Sequence, residues 1–94
     1  MKILIADDEK LVRFSLKSML EELDIPSLSI QVACDGRQLV ERAGSMRPDI
    51  AFVDIRMPGL DGLEVLRRIK ELDPSAEVIV ITGYGTIESA VEAI

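Results

Sequence analysis

Four short apolar runs alternate along the chain with longer segments of helical period, and that alternation restricts the fold more than any other feature. Residues Lys2 to Ala6 read as a buried strand, and Asp7-Asp8 leads from it into a helix over about Glu9 to Leu23. Val12, Leu16, Met19 and Leu23 share one face of that helix at steps of three and four. Ile25-Pro26-Ser27 breaks it. A second strand, about Ser29 to Ala33, runs into Asp35-Gly36 and a helix over roughly Arg37 to Ser45. The turn Arg47-Pro48-Asp49 leads to a third strand, Ile50 to Val53, which stops on Asp54. A loop holding Pro58, Gly59 and Gly62 follows, then a helix from about Leu60 to Leu72 with Leu63, Leu66, Ile69 and Leu72 on one stripe. Asp73-Pro74 ends that helix. Glu77 to Ile81 (EVIVI) is a fourth strand, and Thr86 to Ile94 begins a fourth helix.

Strands this apolar, each separated from the next by a helix, imply a parallel sheet with helices over both faces. With right-handed crossovers the fold class is α/β, a doubly wound parallel sheet. Ninety-four residues make one domain at most. A chain that is 48% apolar and 30% charged has the make-up of a folded protein rather than a disordered tail.

Several function classes drop out on composition. The net charge is -6, so the electrostatic footprint of a nucleic-acid binder is missing and no direct nucleic acid binding is expected. Phe14, Phe52 and Tyr84 are the only aromatics, too few for a base-stacking platform. Arg67, Arg68 and Lys70 form the one basic cluster and read as a solvated helix face. The absence of histidine removes His-based metal sites, Ser-His triads and imidazole proton shuttles together. Cys34 is the only cysteine; it reads as a small buried hydrophobe and suits a reducing compartment. No signal peptide or membrane span is visible, so a cytoplasmic protein with no membrane contact is the expectation.

The fold class says where chemistry should sit. In such sheets ligands bind beyond the carboxyl ends of the strands, at a topological switch point. Asp7 and Asp8 follow the first strand, Asp54 ends the third, and Thr82-Gly83 follows the fourth. Taken singly, each has an ordinary reading: Asp8 as a helix N-cap, Asp54 as the cap of a turn. Their coincidence has none. Two unit charges 4 Å apart repel by about 4 kcal/mol at an effective dielectric of 20, so three carboxylates at one edge call for a cation. An all-oxygen set suits a hard ion such as Mg²⁺. A carboxylate beside that ion can act as a nucleophile toward a phosphoryl group, the metal offsetting the repulsion between two anions. The Thr82 hydroxyl and backbone N–H groups of the neighbouring loops can then donate hydrogen bonds to phosphoryl oxygens. Gly59 and Gly62 would give the loop after Asp54 its freedom, and Pro58 would stiffen it.

At this point the sequence resembles the receiver domain of bacterial two-component response regulators. ILIADDE matches the family's acidic pair after the first strand, FVDIRMPGLDG its phosphoacceptor strand and loop, and VIVITG its switch threonine strand. The motifs keep their order and spacing over the whole chain. The resemblance implies a flavodoxin-like receiver fold over residues 1–94, with Asp54 as phosphoacceptor. It implies Mg²⁺ bound by Asp8 directly, by Asp7 mainly through water, by Asp54, and by the backbone carbonyl of Arg56. It makes Thr82 the residue that moves toward the phosphoryl group. It implies a sensor histidine kinase as phosphodonor, and no turnover of a separate substrate. Arg56 and Tyr84 match positions that tune dephosphorylation, and their bulk is expected to lengthen the signal.

The match stops at Ile94, inside helix four, so the family's fifth strand, its site lysine and its fifth helix have no counterpart among these residues. With EVIVI as an edge strand, self-association through strand four or helix four is expected. Two other readings stand beside the phospho-accepting switch. One is a fragment that serves only as a self-associating interaction module; it predicts no modification of Asp54. The other is a flavodoxin-like cofactor binder, suggested by Thr82-Gly83-Tyr84-Gly85-Thr86, although that loop follows the wrong strand and only Tyr84 could stack on a flavin; a dinucleotide site has less behind it still, with no G-x-G-x-x-G after the first strand.

Overall fold

The structure is a computed structural model that describes residues 1–54, 56–57 and 62–81. Its elements run β1 (Lys2–Ala6), α1 (Lys10–Glu22), β2 (Ser29–Ala33), α2 (Gly36–Met46), β3 (Ile50–Asp54), α3 (Gly62–Leu72) and β4 (Glu77–Ile81). All strand pairings are parallel, in the order β2-β1-β3-β4. The chain leaves β1 for β2 on one side and then returns past β1 to β3 on the other. The order therefore reverses between β1 and β3, where the strand ends hold the acidic residues. The expected alternation is present over these elements, and the helix expected from Thr86 lies outside the described residues.

Strand alternation divides the apolar residues between two faces. Leu4, Ala6, Ala51, Val53 and Val78 join Leu39, Ala43 and Met46 of α2 and Val65, Leu66 and Ile69 of α3 in one buried cluster. Ile3 and Ile5 point the other way, toward α1, which packs on β1, and both are buried. Burial fades along that second face. Ile5 is in register with Phe52 and Phe52 with Ile79; Ile5 is buried, Phe52 half-buried, and Ile79 41% exposed.

Local chemistry sets the element ends. The carboxylate of Asp35 caps α2 by accepting a hydrogen bond from the Gln38 amide at 2.8 Å, so the helix begins at Gly36. It closes on Arg47 in the left-handed conformation, φ 48°. Asp49 then ties the strand starts together: its Oδ2 accepts from the Lys2 amide at 2.7 Å, and its carbonyl accepts from the Glu77 amide at 3.0 Å.

The side-chain pattern departs from the sequence expectations at four places. No residue of α1 is buried, and Met19 and Leu23, at the far end of its stripe, are exposed. On α3, Leu63 and Leu72 are also exposed, while Val65, Leu66 and Ile69 are buried. The reason is geometric: steps of three fall short of the 3.6-residue turn, so a run of three such steps carries Leu63 and Leu72 to opposite sides of the helix. Cys34 is half-buried rather than buried, and both its amide and its thiol donate to Gln38 Oε1, at 3.0 and 3.1 Å. In the basic cluster, Arg67 and Arg68 are exposed and pair with Glu64, but Lys70 is half-buried and donates to the Ala76 carbonyl. Among the described residues no helix is long and apolar enough to cross a membrane.

Candidate functional site

Three aspartates meet where the strand order reverses. Asp7 stands one residue beyond β1 and is held by its amide, which donates to the Ala33 carbonyl at 3.1 Å and so extends the β1–β2 ladder. Its side chain is 3% exposed, the one buried charged group among the described residues. Asp7 Oδ1 accepts from the Glu9 amide at 2.8 Å, and the Asp7 carbonyl accepts from Arg13 Nη1 at 2.6 Å. Asp54 is the last residue of β3, in register with Ile81, and its Oδ1 accepts from the Arg56 amide at 2.9 Å. Asp8 is exposed on the turn into α1.

The N-cap of α1 is Glu9, in extended backbone, and no side chain caps it. The capping reading of Asp8 therefore does not hold. The turn-capping reading of Asp54 does, since its carboxylate takes the amide two residues on. That leaves it able to do more, because a carboxylate offers about four lone-pair directions.

One carboxylate oxygen from each of Asp7, Asp8 and Asp54 lies within 4.8 Å of the others. The electrostatic consequence falls on Asp7. Burial raises its pKa above the ordinary 3.8, the Glu9 amide opposes that shift, and the nearby charges of Asp54 and Asp8 reinforce it. An all-oxygen group of this kind, carrying several negative charges in a small volume, fits a hard divalent cation. Asp8, Glu9, Asp54 and Arg56 line an open depression over it, wide enough for a small anionic group to approach.

Of the residues singled out in the sequence, the structure thus brings Asp7, Asp8 and Asp54 together and sets Arg56 beside them. Thr82, Gly83 and Tyr84, and Pro58 and Gly59 of the loop, lie outside the described residues. Sequence reasoning missed Glu9 and Arg13. Glu9 follows the acidic pair directly, and Arg13 stands one helical turn further on, a spacing that would have flagged both as neighbours of the turn.

Comparison with known proteins agrees with this geometry. The sequence pattern of the response regulator receiver domain matches residues 3–94. The chemotaxis protein CheY of Listeria monocytogenes is 36% identical over 94 residues, covering 100% of this chain and 77% of CheY. The uncharacterized transcriptional regulatory protein YesN of Bacillus subtilis is 35% identical over 92 residues, covering 98% of this chain; the chain spans only 25% of YesN. A response regulator from Burkholderia pseudomallei, solved with a phosphorylated aspartic acid, a calcium ion and citrate, superposes with a TM-score of 0.82 at 26% identity, over 98% of this chain and 52% of that one. The sheet order and the α2–α3 layer are those of the flavodoxin-like receiver fold. By sequence pattern, by relatives and by fold, the chain belongs to the response regulator receiver domains, the signalling switches of two-component systems.

Proposed function

We propose that Asp54 accepts a phosphoryl group from the phosphohistidine of a sensor histidine kinase, and that the resulting aspartyl-phosphate sets the state of an output element. The observation that carries this reading is the convergence of the Asp7, Asp8 and Asp54 oxygens within 4.8 Å at the carboxyl edge of the sheet. In the transfer, an Asp54 oxygen forms a bond to phosphorus while the phosphorus–nitrogen bond of the donor breaks, its electron pair leaving with the imidazole. Asp7, Asp8, Asp54 and the backbone carbonyl of Arg56 would hold Mg²⁺, which when bound offsets the charge of the two anions. The calcium ion and phosphorylated aspartate of the B. pseudomallei protein support that pairing of metal and phosphoacceptor.

The chain's own residues have distinct parts. Asp7, anchored through its amide and its Oδ1, is the fixed carboxylate of the group. Asp8, exposed, is the one open to solvent and incoming phosphate oxygens. The Arg56 amide orients Asp54 so that its nucleophilic oxygen faces the depression. Thr82 donates to a phosphoryl oxygen once the group is in place. We assign residues 1–94 to the receiver domain. YesN is named a transcriptional regulator, and transcription control in the cytoplasm is the output class we assign to the protein.

Intact mass after incubation with a small phosphodonor, with and without Mg²⁺, tests this on the parent chain and on Asp54→Asn. One added phosphoryl group that requires both Mg²⁺ and Asp54 is the expected result. No added mass on a folded chain would remove the switch reading and leave an interaction module. A self-associating role has its own support: β4 is the outer strand of the described sheet, and Ile79 on it is 41% exposed.

A further inference from the structure

Among the described residues Arg13 forms no ion pair with the three aspartates, yet it is bonded to the turn that carries two of them. It lies early in α1, half-buried, and its Nη1 donates to the backbone carbonyl of Asp7 at 2.6 Å. A guanidinium on a carbonyl is a charge-assisted bond, stronger than an ordinary one.

What that bond fixes follows from the peptide plane. All peptide bonds described are trans, so the Asp7 carbonyl and the Asp8 N–H point in opposite directions on one rigid unit. Holding the carbonyl toward α1 therefore sets the orientation of the whole unit, and with it the direction in which Asp8 leaves the strand. Among the described residues the other restraints on this turn centre on Asp7: its amide is held by Ala33, its Oδ1 accepts from the Glu9 amide, and its carboxyl group meets that of Asp8. Asp8 is exposed. The helix that follows has no side-chain cap and no buried residue to seat it. The Asp7 carboxylate thus ties the turn to the N-cap of α1, and Arg13 ties it to the helix body.

We infer that Arg13 is a positioning residue for the metal group: through the Asp7 carbonyl it holds the Asp7–Asp8 peptide so that both carboxylates stay in reach of Asp54. This rests on the metal-binding reading above. A purely structural Arg13 would pin α1 to the sheet, and its loss would change stability without changing metal affinity.

Arg42 supplies the control. Its Nη1 also donates to a strand carbonyl, that of Val32, and to Gln38 Oε1 at 2.8 Å, but it belongs to α2 and is no part of the acidic group. Mg²⁺ alone is titrated into the parent chain, R13M and R42M, and the backbone amide shifts of Asp8 and Arg56 report binding. R13M is expected to raise the Mg²⁺ dissociation constant about tenfold, the lower range for loss of an outer-shell partner. R42M should stay within about twofold. Should R13M not fold, R13Q is read in its place with the same limits. An R13M dissociation constant within twofold of the parent overturns the inference, as does an R42M loss equal to that of R13M. A parent chain whose amides do not respond to Mg²⁺ overturns the metal reading itself, and this inference with it.

Discussion

Asp7 and Asp54 extend adjacent parallel strands one residue beyond the Ala6–Val53 pair, and their carboxylate oxygens come within the 4.8 Å reach of the acidic group. The arrangement separates their environments. Asp7 is buried and Asp54 half-buried, so desolvation first, and then the nearby charges of Asp54 and Asp8, raise the pKa of Asp7. A carboxylate whose folded pKa is raised contributes stability that is fully present below its unfolded value and is lost as pH rises through the folded one. The metal-free chain is therefore strained at neutral pH by its own site.

Asp7→Asn should relieve that strain. The Asn side-chain oxygen can still accept from the Glu9 amide, while desolvation of a charge and repulsion by Asp8 and Asp54 disappear. Urea midpoints of parent and variant, measured without divalent metal, should coincide at about pH 3 and separate as the pH rises above the ordinary carboxylate range, with the variant more stable. At pH 7 a gain on the order of 1 kcal/mol corresponds to about 4–8 °C in a domain of this size. A variant less stable than the parent across the whole range would show that Asp7 is not destabilised by its surroundings.

Mg²⁺ should have the opposite effect on the parent. A ligand that binds only the folded state stabilises it by about 2.7 kcal/mol at a hundred times its dissociation constant, which here is roughly 10 °C or more in melting temperature. Chelation with EDTA should reverse the shift. Asp54→Asn and Asp7→Asn should each lose most of it, since each removes a charge from the group. Sodium chloride at matched ionic strength separates specific binding from screening; an equal shift from the two salts would argue against a site.

Much of this site was legible because strand ends are legible. Asp7, Asp8 and Asp54 each interrupt or end an apolar run, and parallel topology gathers such ends at one edge. What could not be read was the seating of helices. On α1 the stripe of Val12, Leu16, Met19 and Leu23 is real, but a stripe shows only which residues can be covered, and among the described residues α1 packs on β1 with Met19 and Leu23 exposed. On α3 the three-residue spacing selected Leu63 and Leu72 over Val65, which a full helical turn would have favoured. Cys34 and Gln38 are four apart, but the thiol's partner depends on how β2 enters α2. Arg13 is a related case: its spacing from Glu9 marks it as a neighbour of the turn, but its bond is to a backbone carbonyl, which the sequence does not show.

The cap on α2 offers a test of independence between scaffold and site. Asp35→Ala removes the acceptor for the Gln38 amide and should cost about 1 kcal/mol, with a fall of about 4–8 °C in melting temperature. Mg²⁺ affinity should stay within about twofold, because Asp35 lies at the end of β2 and outside the acidic group. Calorimetry gives the first quantity and amide shifts the second. A large loss of affinity would mean that β2 and α2 help to shape the turn after β1.

The face on which α1 packs leads to the last prediction, because burial fades across it away from β1. Across it Ile5, Phe52 and Ile79 stand in one row, and exposure increases from the first to the last, toward the outer strand of the described sheet. An apolar strand at an edge is a template for another chain, and natural edges are blunted by charge. EVIVI carries only Glu77, at its start. Light scattering should therefore find the parent self-associated at micromolar concentration, and Ile79→Lys should shift it toward monomer. Because Ile79 is already 41% exposed, the lysine should leave the fold and phosphoryl uptake at Asp54 intact. A monomeric parent would remove self-association through β4 while leaving the chemistry of the acidic edge untouched. An I79K chain that stays associated would instead place the contact away from this strand.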